Sequence, residues 1–259
     1  MKIGWPLAIV LILAVVFLIG PFLIIVAASL SAGETLAFPP RGLSLRWFAK
    51  VFEIESFRAS FALSIGLAIG STSAALALGV PAAYALSRYR VPGGGILRTL
   101  VSSSLVVPGI VAGLALLRYL VVPFRFSVIV ALFLAHTALL LPYALRVVSA
   151  SLNNLRPDIE EAAVRLGASR TGAFFRVVLP NIRDGVLAAL VLGFVTSFNQ
   201  VPVSLFLSGP GVETLPIDML SYLEITYDPS VAALSTLLAL LSLAIVFLAE
   251  RFLGLTRYV

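Results

Sequence analysis

The chain has no cysteine, one histidine and two lysines in 259 residues. Without cysteine there is no disulfide framework and no thiolate chemistry, although the compartment is left open. One histidine, no thiol and no converging acids offer no nucleophile–base pair or metal cluster, which argues against a membrane enzyme. Neither Lys2 nor Lys50 follows a glycine, so the chain has no GxxxxGK[ST] phosphate loop. If the chain does ATP-driven work, the ATPase must be another polypeptide. Charge is scarce as well, 12% of residues against about 25% in a soluble domain. The net charge of +6 comes from arginines that flank apolar runs and form no single basic face, so nucleic acid is not an expected partner.

What is present is apolar: 60% of the residues are hydrophobic, and the mean hydropathy is +1.09. Runs of about 20 apolar residues span a bilayer core of about 30 Å. Six such runs are expected, at about 5–30, 57–86, 97–117, 127–148, 185–207 and 231–253. The fold class is therefore all-α and polytopic, a single membrane domain over 1–259. "AASLSAGE" after the first run resembles a cleavage site, but that run exceeds the 7–15 residues of a signal core and is expected to stay as an anchor.

Lysine and arginine set the orientation. With the N-terminus inside, the inner segments hold Lys2, Arg88, Arg90, Arg98, Arg146, Arg156, Arg165, Arg170, Arg176, Arg183, Arg251 and Arg257. The outer segments hold half as many: Arg41, Arg46, Lys50, Arg58, Arg118 and Arg125. Both termini are thus expected in the cytoplasm. The last outer loop carries Glu213, Asp218, Glu224 and Asp228 and no base. "GLAIG" (66–70) and "GIVAG" (109–113) place small residues four apart, which suits close helix approach. Pro81, Pro108, Pro142 and Pro202 are expected to interrupt spans two to five.

One polar insertion, about 150–181, separates spans four and five on the cytoplasmic side. Pro157 suits a helix start. Asp158, Glu160 and Glu161 fall in its first turns, Arg165 in its last, and Gly167 where a helix stops. Ile159, Ala162, Ala163 and Leu166 share one stripe. Ser169 can cap a second short helix carrying Phe174, Phe175 and Val178, and Pro180 turns the chain back to the membrane. Helices this short are marginal alone and need something to pack on. Neighbouring helix positions point about 100° apart, so Glu160 and Glu161 cannot converge as a catalytic pair. A docking element is preferred over both a catalytic pair and plain dipole-matched surface carboxylates.

Glu161-Ala162-Ala163, three residues, Gly167, nine residues and "VVLP" (177–180) resemble the EAA loop of ABC-importer membrane subunits, with Val177 where that pattern has isoleucine. "FPPRGLSLRWF" (38–48) and "VPVSLFLSGPGVETLP" (201–216) are similar to spermidine/putrescine-type permeases of the second type. The resemblance implies a type I ABC-importer permease fold with coupling helices between spans four and five. It implies a bacterial inner-membrane transport subunit with no ATPase site, whose ATP and magnesium are bound by a partner. The implied partners are a cytoplasmic ABC ATPase dimer, a second permease (a heterodimer) and an extracytoplasmic solute-binding protein, all in a lipid bilayer. The coupling residues would be Glu160, Glu161, Ala162, Ala163, Arg165, Gly167, Phe174, Leu179 and Pro180.

A solute would cross near "TSFNQVPVS" (196–204), where Asn199 and Gln200 are expected mid-helix with Thr196 and Ser204 nearby. Polyamine-type permeases often carry acids at this position, which fits a polycation. Amides remove that charge and favour a neutral or zwitterionic solute over a polycation; with the resemblance, the expected solute is small and amine-bearing, a polyamine-type molecule or a related zwitterion such as an amino-acid derivative, an opine or an aminophosphonate. A ferric-iron or anion permease of the same superfamily is the alternative. An ion-coupled secondary transporter is more remote, since the spans hold almost no charge. A lone histidine without intramembrane acids nearby in sequence, His136 reads as a packing contact and not a proton relay. No metal or cofactor is expected on this chain.

Overall fold

The computed structural model describes residues 4–209 and 211–253. Lys2 and Arg257 lie outside the described residues. Among those described there is no β-strand beyond two isolated bridges, Ser31 with Leu43 and Gly209 with Val212. The helices are α1 (Trp5–Ser29), α2 (Arg46–Glu53), α3 (Glu55–Arg88), α4 (Gly94–Ser103), α5 (Gly109–Leu116), α6 (Val122–Phe124), α7 (Val128–Asn154), α8 (Pro157–Arg165), α9 (Arg170–Ala173), α10 (Leu179–Asn181), α11 (Arg183–Phe198), α12 (Leu215–Ile225) and α13 (Ser230–Leu253). Short π-helical turns, Leu117–Val121 and Phe174–Val178, join α5 to α6 and α9 to α10.

Among the described residues four helices are long and apolar enough to cross a membrane: α1, α3, α7 and α13. The α9–α10 stretch and α11, bent by 69°, make a fifth candidate if counted as one broken span. The third and fifth sequence-expected spans are not continuous helices. Residues 97–117 divide between α4 and α5, with a break before Pro108, which caps α5 in an extended conformation. Proline disfavours helical backbone in the residue before it. In the run 185–207, helix α11 stops at Phe198. Pro202 has no amide to bond the Phe198 carbonyl four residues back, and its ring would clash with it. By contrast α3 and α7 run unbroken through Pro81 and Pro142, so only two of the four noted prolines mark interruptions. Helix α7 also runs on to Asn154, into the stretch expected as loop.

By contacts the chain divides into two compact units. The first comprises Met1–Ala59 and Asp218–Leu243. Within it α1 is apolar on every side and mostly exposed, as a helix facing lipid must be. The loop after α1 is fastened to α2: the Trp47 indole donates to the Ser31 carbonyl at 2.8 Å, and Arg46 donates to the Ala32 and Gly33 carbonyls at 2.9 and 3.0 Å. Lys50 Nζ pairs with Asp228 at 2.7 Å, and the Asp228 bond holds the lysine above its ordinary pKa. Burial pushes the Asp228 carboxyl up, but Lys50 and the Ser230 amide outweigh that and hold it below its ordinary value. Glu34, Arg46, Trp47, Lys50, Glu53 and Asp228 are among the residues lining an open cavity of about 710 Å³ here.

The second unit comprises Ser60–Ile217 and Ala244–Val259. Its centre is α7 against α11. One cluster joins Leu76, Ala144, Leu145, Val148, Leu152, Val178, Ile182 and Ala189. Another joins Leu67, Ala131, Leu132, Val203 and Leu207. Missing side chains set three close approaches. A Cβ on Gly79 would stand 2.7 Å from Ala144 Cβ, one on Gly193 2.7 Å from Thr72 Cγ2, and one on Gly113 2.5 Å from the Val203 carbonyl oxygen. The 109–113 motif therefore works as expected. In the 66–70 motif, Gly66 faces open space and only Gly70 meets a neighbour, Phe133 at 3.4 Å.

Gly193→Val should therefore destabilise the unit by about 1–3 kcal/mol through overpacking against Thr72. Gly66→Val should change stability far less. Thermal unfolding of the detergent-purified transporter is the check, and equal midpoints for the two variants would contradict the packing described.

Candidate functional site

Helix α8 is built as its sequence demands. Arg156 is extended, Pro157 occupies the first turn and Asp158 and Glu160 follow. Arg156 and Asp158 pair on the surface, and their hydrogen bond raises the one pKa and lowers the other. Glu161 and Arg165 stand 3.6 Å apart, four residues on, both exposed. The helix ends in a left-handed turn: Gly167 has φ +95°, its amide bonds the Val164 carbonyl at 3.0 Å, and the Ala168 amide bonds that of Ala163 at 3.1 Å. No atom lies within 4 Å of where a Gly167 Cβ would sit, so the demand for glycine is conformational and not steric. Ser169 then caps α9 by accepting from the Gly172 amide at 3.0 Å. Beyond it Phe174 packs on Tyr84 with centroids 4.7 Å apart, while Phe175 is exposed. Leu179 and Pro180 lie in α10, and the chain changes direction after Asn181, just past Pro180.

Glu160 departs from the sequence reading. Expected on the docking element, it is instead buried, 8% exposed. Tyr84 Oη donates to Glu160 Oε1, and Arg88 Nε lies 3.4 Å from Glu160 Oε2. The same guanidinium donates to the Leu152 and Leu155 carbonyls at 3.2 and 2.8 Å. Arg88 thus covers the open carbonyl end of α7 and holds the first turn of α8 in one grip. Truncating one member of a buried ion pair leaves the other charge uncompensated, at about 3–5 kcal/mol. The sequence points to Arg88 only as an inner-side base just past the expected end of span two, and gives no signal for Tyr84.

With Glu160 turned inward, the opposite side of α8 is free. Ile159, Glu161, Ala162, Arg165 and Leu166 are exposed, Leu166 at 89%, and Ala163 is half-buried. This is an apolar stripe with a charged edge, held in place from behind.

The four residues expected on a solute path are not brought together. Asn199 is exposed at the C-terminal cap of α11, and its Nδ2 donates to the Val195 carbonyl at 2.9 Å. Gln200 is half-buried just beyond the helix, and Thr196 half-buried within it. Ser204 is fully buried, 3.1 Å from His136 Nε2. His136 is itself 1% exposed, with Nδ1 2.7 Å from Ser197 Oγ. Ser197 in turn lies 3.2 Å from Ser71 Oγ. Asn199 and Gln200 thus stand at a helix end and not mid-helix, for the reason Pro202 supplies. Among the described residues no group of three or more His, Cys, Asp or Glu could hold a metal ion.

Residues 75–255 match the family of binding-protein-dependent transport system inner membrane components. The putrescine transport system permease protein PotI of Escherichia coli (strain K12) is 31% identical over 238 residues, 89% of this chain and 84% of that one. The spermidine/putrescine transport system permease protein PotC of Haemophilus influenzae is 30% identical over 234 residues, 90% of this chain and 91% of that one. Among solved structures, a bacterial ABC transporter involved in the import of the acidic polysaccharide alginate superposes with a TM-score of 0.70 over 95% of this chain and 94% of that one, at 16% identity. An amino acid ABC transporter gives 0.59 over 81% and 98%, at 18% identity. At such identities the superpositions speak to the fold alone. The extent of the family match and the identity to these permeases agree: the chain belongs to the inner-membrane components of binding-protein-dependent transport systems.

Proposed function

We propose that this chain is one half of the translocation path of an ABC importer. It crosses the bacterial inner membrane six times as a single permease domain, with α4–α6 and α9–α11 as broken crossings and both termini in the cytoplasm. A second, related permease supplies the other half. A solute-binding protein docks on the outer loops, 31–56 and 208–228. A cytoplasmic ATPase dimer hydrolyses ATP, and this chain has no ATPase site of its own. The observation that carries the reading is the exposed stripe of α8, fixed from behind by Glu160 and lying in the matched EAA spacing. A stripe held rigidly on the membrane domain can transmit a push, where a flexible one would absorb it.

The solute is a small amine-bearing molecule. The named substrates of the related permeases, putrescine and spermidine, support a polyamine. The amides Asn199 and Gln200, where an acid would pair a polycation, support a zwitterion, since amides both donate and accept without burying a charge.

Three outcomes test this. Reporters fused after Val259 or near Gly93 should read as cytoplasmic and one near Gly211 as external; an external C-terminus would sink the topology. Gly167→Val should lower uptake about tenfold, because a β-branched residue resists positive φ, while the protein still reaches the membrane. Normal uptake with a normally bound ATPase would contradict the coupling role. Asn199→Leu combined with Gln200→Leu should lower uptake in vesicles supplied with the binding protein, yet leave basal ATP hydrolysis intact. Unchanged transport would move the path elsewhere.

A further inference from the structure

Where α11 breaks off, side chains from α3, α7, α11 and the segment beyond share one line of hydrogen bonds, and its direction can be assigned from end to end. The Leu67 carbonyl can only accept, so the Ser71 hydroxyl, 2.6 Å away, spends its one proton there. Ser71 Oγ must then accept from Ser197 Oγ at 3.2 Å. That commits the Ser197 proton, so at 2.7 Å His136 Nδ1 is the donor. In a neutral ring Nε2 is then bare and accepts from the Ser204 hydroxyl at 3.1 Å. Both ring nitrogens meet hydroxyls, which can solvate a neutral imidazole but cannot compensate a buried charge.

We propose that His136, fixed as the neutral Nδ1–H tautomer, is a positioning residue that clamps the non-helical segment 199–208 to α7 through Ser204. The segment needs such a clamp because Pro202 has ended the helix and with it the regular backbone hydrogen bonds. Its inward side chains, Val203, Ser204 and Leu207, are 3%, 0% and 1% exposed, so the polar Ser204 must find a partner there. Of these three, Ser204 alone supplies a directional bond. The consequence for transport rests on the reading that Asn199 and Gln200 border the solute path; the tautomer and the clamp do not.

The assembled transporter, purified through a histidine-free affinity handle and labelled with 15N-histidine, supplies the first measurement. The imidazole signal lost in His136→Gln identifies the residue. It should show a protonated Nδ1 and a bare Nε2, and Ser204→Ala should shift the Nε2 resonance alone. An Nε2–H or doubly protonated ring overturns the assignment. The second measurement exploits the absence of cysteine in this chain. Val203→Cys places a thiol at a buried position beside Ser204, and its rate of maleimide modification in the membrane reports whether the segment stays seated. Glutamine reaches the Nε2 position and can still accept from Ser204; asparagine reaches only towards Ser197. Modification should therefore quicken about tenfold with Ser204→Ala or His136→Asn, as expected for losing one buried hydrogen bond, and stay within about twofold with His136→Gln. Equal rates in all four backgrounds overturn the clamp. Uptake is read last: if modification follows this pattern while Asn199→Leu with Gln200→Leu transports normally, the clamp stands and the path reading fails.

Discussion

The grip of Arg88 and Tyr84 on Glu160 decides what the rest of α8 can do. A nine-residue helix has little stability of its own. Here its first turn is tied to the last turns of α3, and the same guanidinium closes the carbonyl end of α7. Three helix termini therefore share one cation. The carboxylate that faces in fixes the rotation of α8, and that rotation leaves Ile159, Ala162 and Leu166 facing out. Burial of one charged residue thus sets the exposure of several apolar ones, the reverse of the usual relation in a core.

Elsewhere the fold is shaped by what is missing from side chains and backbone. Gly79, Gly113 and Gly193 let helices and the segment at Val203 come within contact of backbone or methyl groups. Pro108 and Pro202 remove amides and so create breaks, and the breaks fall beside those contacts: a Cβ at Gly109 would stand 2.9 Å from Pro202 Cβ. Irregular backbone needs cover for its polar groups, and in the segment past Pro202 the side chains of Val203, Ser204 and Leu207 are buried against the rest of the unit.

The sequence was most legible where one signal sufficed. Apolar length located α1, α3, α7 and α13, and Pro157 with Gly167 bounded α8 closely. It was least legible where the answer lay across the chain. Glu160 looked like a surface acid because its partners are 72 and 76 residues away, and a helical stripe cannot report which polar residue another helix will claim. Gly66 and Gly79 are alike as letters; only the packing distinguishes one facing open space from one against Ala144. The end of α11 is different. Pro202 was visible, but proline alone does not fix a stop, since α3 and α7 run through Pro81 and Pro142, and the apolar run through Leu207 carried the expected helix onward. For the solute-path residues, sequence proximity suggested one cluster, whereas the broken helix sends Ser204 inward and leaves Asn199 exposed.

That broken end also has an electrostatic character that no side chain announces. Helix α11 is 16 residues long and closes at Asn199, and the aligned peptide dipoles of such a helix sum to about half a negative charge at its last carbonyls. On the proposed path, an amine near Asn199 and Gln200 would meet a negative pole made of backbone, softened where the Asn199 side chain already caps the Val195 carbonyl. It is weaker than a carboxylate, it carries no proton to gain or lose, and it discriminates little between one ammonium group and several. A segment without an acid can in this way still favour cations over anions.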